Sequence, residues 1–122
     1  MLCLVFSCKK DVIVFDENFE IKYEEVAQLN SGDLQIKVVE VLEDSRCPPN
    51  ALCAWPGQVR LKLEVIENNI ASNEEITFFQ RASTDVLVGE YLINLIDVTP
   101  ETDAFMDIEL DDYTFTFIVT EQ

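Results

Sequence analysis

The stretch Gln58-Val59-Arg60-Leu61-Lys62-Leu63-Glu64-Val65 alternates polar or charged side chains with aliphatic ones at every step. Successive side chains of a β-strand point to opposite faces, so this run has one aliphatic face and one charged face. That is the pattern of a half-buried strand. Toward the N-terminus, Leu34, Ile36 and Val38 alternate with Gln35 and Lys37 after an Asn30-Ser31-Gly32-Asp33 turn. Further back, Phe19, Ile21 and Tyr23 alternate with Glu20 and Lys22, and Val12 to Phe15 is read as an opening edge strand. Toward the C-terminus, strands are expected over Glu75–Arg81, Glu90–Val98 and Tyr113–Thr120, the last placing Tyr113, Phe115, Phe117 and Val119 on one face.

The one stretch with helix-forming composition, Tyr23 to Leu29, is short and lacks sustained apolar spacing of 3.6. The expected fold is therefore all-β: a two-layer antiparallel β-sandwich, immunoglobulin-like or related, of about seven short strands. A partly open barrel is the alternative. Leu92-Ile93 and Leu95-Ile96 are apolar on both faces, which places Glu90–Val98 at the centre of a sheet.

Hydrophobic residues make up 48% of the 122, enough for a packed core despite the charge. Eight Lys plus Arg against 24 Asp plus Glu give a net charge of −16. Nucleic-acid binding depends on cations that neutralise phosphates, so that balance argues against it, and equally against a polybasic grip on lipid headgroups. The chain has no His, which removes Ser-His, Cys-His and His-metal chemistry.

The first residues read MLCLVFSCKKD. Val5-Phe6-Ser7-Cys8 resembles the lipobox of bacterial lipoproteins, which implies Cys8 as the lipid carrier and residues 1–10 as the remnant of a signal and anchor region. Residues 11–122 are then one β-sandwich domain. Cys47 and Cys53 are the remaining pair, flanking Pro48-Pro49-Asn50-Ala51-Leu52. A loop this short closes with one disulfide when the Cα atoms come within about 7 Å. The prolines stiffen it, and an oxidising compartment favours the bond.

Residues 40–57, EVLEDSRCPPNALCAWPG, carry the distinctive motif: Glu43, Asp44, Ser45, Arg46, Cys47 and Pro48, then Cys53, Trp55 and Gly57. It resembles a family of small bacterial lipoproteins of the Bacteroidota type with an E-D-S-R-C-P…C-x-W-x-G hairpin. The resemblance extends more loosely to Val98-Thr99-Pro100 and Asp112-Tyr113. It implies an exported β-domain and no particular activity.

Physically, the motif reads as a stapled loop between two strands. Arg46 has carboxylates within reach in Glu43 and Asp44, and Gly57 supplies a positive φ before the next strand. Trp55 is expected over the disulfide or at one end of the sandwich. On a plain structural reading, the motif locks a long crossover. On a functional one, Trp55 and Arg46 form an exposed recognition pair, since aromatic and Arg side chains dominate binding hot spots.

Asp107, Glu109 and Asp111 would share a face if extended, a weak candidate for calcium; no EF-hand spacing is present. Asp16, Glu17, Glu20, Glu24 and Glu25 read as solvated surface. No catalytic residue, cofactor or metal is assigned. The sequence thus points to a non-catalytic, lipid-anchored domain of the bacterial cell envelope, periplasmic or at the cell surface, acting on an unknown protein or small ligand. It would meet the membrane only through its lipid anchor. The alternatives are a structural accessory subunit pairing through an edge strand and an envelope hydrolase using carboxylates.

Overall fold

A computed structural model describes residues 14–29, 33–48, 51–54, 57–79, 84–101 and 108–122. Eight strands are found among them: β1 (Phe19–Lys22), β2 (Val26–Leu29), β3 (Leu34–Asp44), β4 (Gln58–Glu67), β5 (Ile70–Phe79), β6 (Thr84–Val88), β7 (Tyr91–Thr99) and β8 (Thr114–Glu121). They form two four-stranded sheets, ordered β1-β8-β7-β6 and β2-β3-β4-β5, with every pairing antiparallel. The two-layer sandwich is as expected, and β7 is an inner strand. Strands adjacent in sequence are adjacent in each sheet, and β1 returns to β8. The connectivity is therefore a meander folded over on itself, without the Greek-key crossing of an immunoglobulin domain.

The alternation read in the sequence becomes the core. Val59, Leu61, Leu63 and Val65 of β4 face Phe115, Phe117 and Val119 of β8 across the interior, all with no accessible surface. Local chemistry sets the turns. Asn68 and Asn69 both have positive φ, as a two-residue hairpin between β4 and β5 demands, and Asn tolerates that conformation. The chain changes sheets between β1 and β2 at Glu24, where φ is 65°. That corner is held by Glu24 N–H donating to the Val38 carbonyl at 3.0 Å and by the Tyr23 hydroxyl donating to the Val39 carbonyl at 2.9 Å.

Some details differ from the sequence reading. Val26–Leu29, in the stretch with helix-forming composition, is strand β2, because Ala27 and Leu29 are buried opposite Ile36 and Leu34 of β3. Thr84–Val88 is a strand the alternation did not reveal. Val14 and Phe15 join no sheet, while residues 12 and 13 of that expected opening strand lie outside the described residues. Phe15 instead stacks on Tyr91 with ring centroids 5.6 Å apart.

The edge strands differ in length. β1, β2 and β6 are four, four and five residues long, whereas β5 runs for ten. The core-side face of β5 is apolar at Ile76 and Phe78 but turns polar at Glu74 and Ser72, opposite Leu63 and Val65. Ser72 Oγ donates to the Glu74 carboxylate at 3.2 Å. An inward charge of this kind discourages another strand from adding to the edge.

Candidate functional site

The motif occupies the connection from β3 to β4, and its residues divide into a base and a tip. At the base, the ladder continues past the strand ends: Ser45 N–H donates to the Gln58 carbonyl at 2.8 Å. The Ser45 hydroxyl donates to the Glu43 carboxylate at 2.8 Å and accepts from Gln58 N–H at 3.2 Å. Glu43 also accepts from Gln58 Nε2 at 3.1 Å and from Arg60 Nε at 2.9 Å. These bonds, Arg60 foremost, hold the Glu43 carboxyl below its ordinary pKa. Gly57 has φ +82°, and any Cβ there would collide with the Ser45 carbonyl. The position requires glycine both for its backbone conformation and for the close approach of the two chains.

Beneath this base lies a buried ion pair. Arg46 is 6% exposed, and its guanidinium grips Asp44 with two bonds, Nε to Oδ1 at 2.9 Å and Nη2 to Oδ2 at 2.8 Å. Its Nη1 donates to the Val98 carbonyl at 2.7 Å, and the Tyr113 hydroxyl donates to Asp44 Oδ2 at 2.7 Å. Fork-on-fork pairing satisfies both charges, which a buried ion pair needs if its desolvation is to be offset. Burial pushes the Asp44 carboxyl up, but the bonds from Arg46 and Tyr113 outweigh it, and the net shift is downward. Burial, then the hydrogen bond to Asp44 and the Asp44 charge, push the Tyr113 hydroxyl well above its ordinary value. Glu43–Arg46, Val98 and Tyr113, three stretches distant in sequence, thus meet at one end of the sandwich.

The tip is closed by the Cys47–Cys53 disulfide, with Cα atoms 5.9 Å apart. Ala51 N–H donates to the Pro48 carbonyl at 3.1 Å, forming a turn inside the ring. Leu52 is fully exposed, at 104% of its reference area, and Cys53 and Ala54 beside it are exposed as well.

The expectation that Arg46 would be exposed for recognition does not hold. Its guanidinium is turned inward and held by partners from both sheets. Trp55, its proposed companion, lies outside the described residues, as do Cys8 and Asp107. The premise for grouping Asp107, Glu109 and Asp111 was extended chain, but Leu110–Asp112 is a 3₁₀ turn. Glu109 N–H donates to Asp112 Oδ2 at 3.2 Å across that turn, and Glu109 and Asp111 are exposed. Among the described residues, no three Cys, Asp or Glu side chains converge to hold a metal ion. Asp16, Glu17, Glu20, Glu24 and Glu25 are all exposed. The partners sequence reasoning missed are Tyr113 and Val98. Tyr113 is recognisable only as an aromatic at the head of a strand, and Val98 takes part through its main chain, which has no side-chain signature.

The chain matches no protein-family model, no curated protein and no solved structure.

Proposed function

We propose that this is a non-catalytic binding domain of the bacterial cell envelope, anchored by lipid at Cys8, which uses the Cys47–Cys53 loop to engage a protein partner. The observation that carries this reading is the exposure of Leu52 at the tip of a loop whose base is fixed by hydrogen bonds and whose ends are joined by a disulfide. A loop joined at its ends loses less conformational entropy on binding than an open one, and an apolar side chain presented on it can fill a pocket. The lipobox resemblance at Val5–Cys8 and the hairpin resemblance at Glu43–Gly57 support an exported, tethered protein. The accessory-subunit reading through an edge strand has less support, because β5, the long edge strand among the described residues, is blunted by Glu74.

Two measurements test the proposal. Intact mass of the protein isolated from its native envelope should show a diacylglyceryl addition at Cys8 and the loss of two hydrogens at Cys47 and Cys53. A photo-crosslinking residue at position 52 should give a discrete adduct in intact cells that Cys47→Ser abolishes, whereas the same probe at position 37 gives none. An unacylated native protein would remove the anchor. Identical crosslinking from both positions would remove the loop as the binding site.

A further inference from the structure

The Cys47–Cys53 bond is placed where it can be opened without unfolding the sheets. The cysteines are six positions apart, so the ring they close lies wholly within the connection from β3 to β4. On the β3 side, the chain is anchored one residue before Cys47 by Arg46, which is held by Asp44 and the Val98 carbonyl. On the β4 side, Gln58 is tied to Ser45 through both its N–H and its carbonyl. None of these bonds involves either cysteine. The two cysteines also differ in access: Cys53 is exposed, between exposed Leu52 and Ala54, whereas Cys47 is half-buried. A thiolate arriving from solvent therefore meets Cys53 first.

We propose that this bond is a reversible redox switch, opened in the folded protein by a dithiol and closed again by that reagent's disulfide form. One thiolate of the dithiol attacks Cys53 Sγ, the Cys47–Cys53 bond breaks, and Cys47 Sγ leaves as a thiolate and takes up a proton. The second thiol of the dithiol, once deprotonated, attacks the first where it is bound to Cys53. That closes the dithiol's own disulfide and releases Cys53 Sγ, which is protonated in turn. The dithiol loses two electrons and two protons, and the protein gains both.

A disulfide resists reduction to the extent that the fold favours its closed form. Native and unfolded chains therefore differ in reducibility by the bond's contribution to folding. Here that contribution is small, because the ring is short and the β3–β4 ladder is complete without it. The consequence for binding rests on the reading of Leu52 as the contact residue. The closed ring restricts Leu52 beside Cys53, and opening it gives the segment conformations that binding must then remove.

Titration of the full 122-residue chain with mixtures of reduced and oxidised dithiothreitol tests the opening, with thiols trapped by a maleimide and assigned by peptide mapping. The native chain should be half-opened at a reduced-to-oxidised ratio no more than ~150-fold above that needed in urea, with its far-ultraviolet spectrum unchanged. A larger ratio, or opening that coincides with loss of the spectrum, would overturn the proposal. Brief exposure to glutathione, quenched in acid, should place the mixed disulfide on Cys53 in at least ~10-fold excess over Cys47. An equal or reversed preference would overturn the route. In intact cells carrying the photo-crosslinker at position 52, dithiothreitol added before irradiation should lower the adduct yield at least ~5-fold. An adduct undiminished by reduction would overturn the switch and leave the loop as the binding site. No adduct even before reduction would remove the binding site, and the titration would then decide the opening by itself.

Discussion

The Arg46 guanidinium donates to the main-chain carbonyl of Val98 at 2.7 Å, linking the end of β3 in one sheet to β7 in the other. Elsewhere the sheets meet mainly through apolar packing, which resists separation but carries little directional information. This bond fixes the approach of the two layers at the end where the disulfide loop emerges.

Arg46→Ala should cost about 3–5 kcal/mol in urea denaturation, because it leaves Asp44 buried without its cation and the Val98 carbonyl without its donor. Arg46→Lys keeps the charge but not the two-pronged grip, and should lose about 1–3 kcal/mol.

Tyr113→Phe removes a hydrogen bond to a charged carboxylate and should cost about 1.5–3 kcal/mol near neutrality. The folded protein raises the Tyr113 pKa, so this stabilisation is complete below the unfolded value of about 10 and is lost as pH rises above it. The stability gap between wild type and Tyr113→Phe should narrow as pH climbs beyond about 10. A gap that stays constant would mean the hydroxyl contributes only by packing.

Acid acts on the protein in two opposing ways. The Asp44 pKa is lowered in the fold, so its contribution is present above the unfolded value of about 3.9 and lost as pH falls through the lower folded value. Between pH 7 and about 5 that contribution is intact, while partial protonation of exposed carboxylates relieves the repulsion of a −16 chain. The melting temperature should therefore rise from pH 7 to about 5 and fall steeply below about 4. Added salt at pH 7 should raise it too. A monotonic decline from pH 7 to 5 would show that paired carboxylates outweigh repulsion.

Reducing the Cys47–Cys53 disulfide should cost only about 1–3 kcal/mol and leave the far-ultraviolet spectrum of the sandwich unchanged. The ladder already runs to Asp44 opposite Val59 and is extended by the Ser45–Gln58 bond, so the cysteines constrain the tip and not the sheets. Loss of the β spectrum on reduction would show that the loop holds the layers together.

The sequence made β4 legible because from Gln58 to Val65 every outward position is polar and every inward one aliphatic. β8 was legible for the same reason, through Tyr113, Phe115, Phe117 and Val119. β3 was read only as far as Val38, because register shifts after Val38 and Val41 break the alternation that marks a strand. β2 was hidden by composition: Glu24, Glu25, Ala27 and Gln28 favour helix locally, and pairing with β3 overrides them. The disulfide and the need for glycine at position 57 followed from spacing and local backbone chemistry. The burial of Arg46 did not, since Val98 reaches it from 52 positions away and Tyr113 reaches its partner Asp44 from 69.

The return of β1 to β8 has a kinetic consequence. Sheet β2-β5 is built from hairpins between consecutive strands, whereas Ile21 finds its place only opposite Phe115, close to the other end of the chain. Closing so long a loop has a high entropic cost before any contact repays it, so β1 is expected to dock after the folding barrier is crossed. Ile21→Val should accordingly quicken unfolding and leave the refolding rate nearly untouched in stopped-flow measurements. Phe19 and Ile21 remain uncovered until residues 114–121 have formed their strand, so the partly folded molecule exposes an apolar β1 segment that the native sandwich hides.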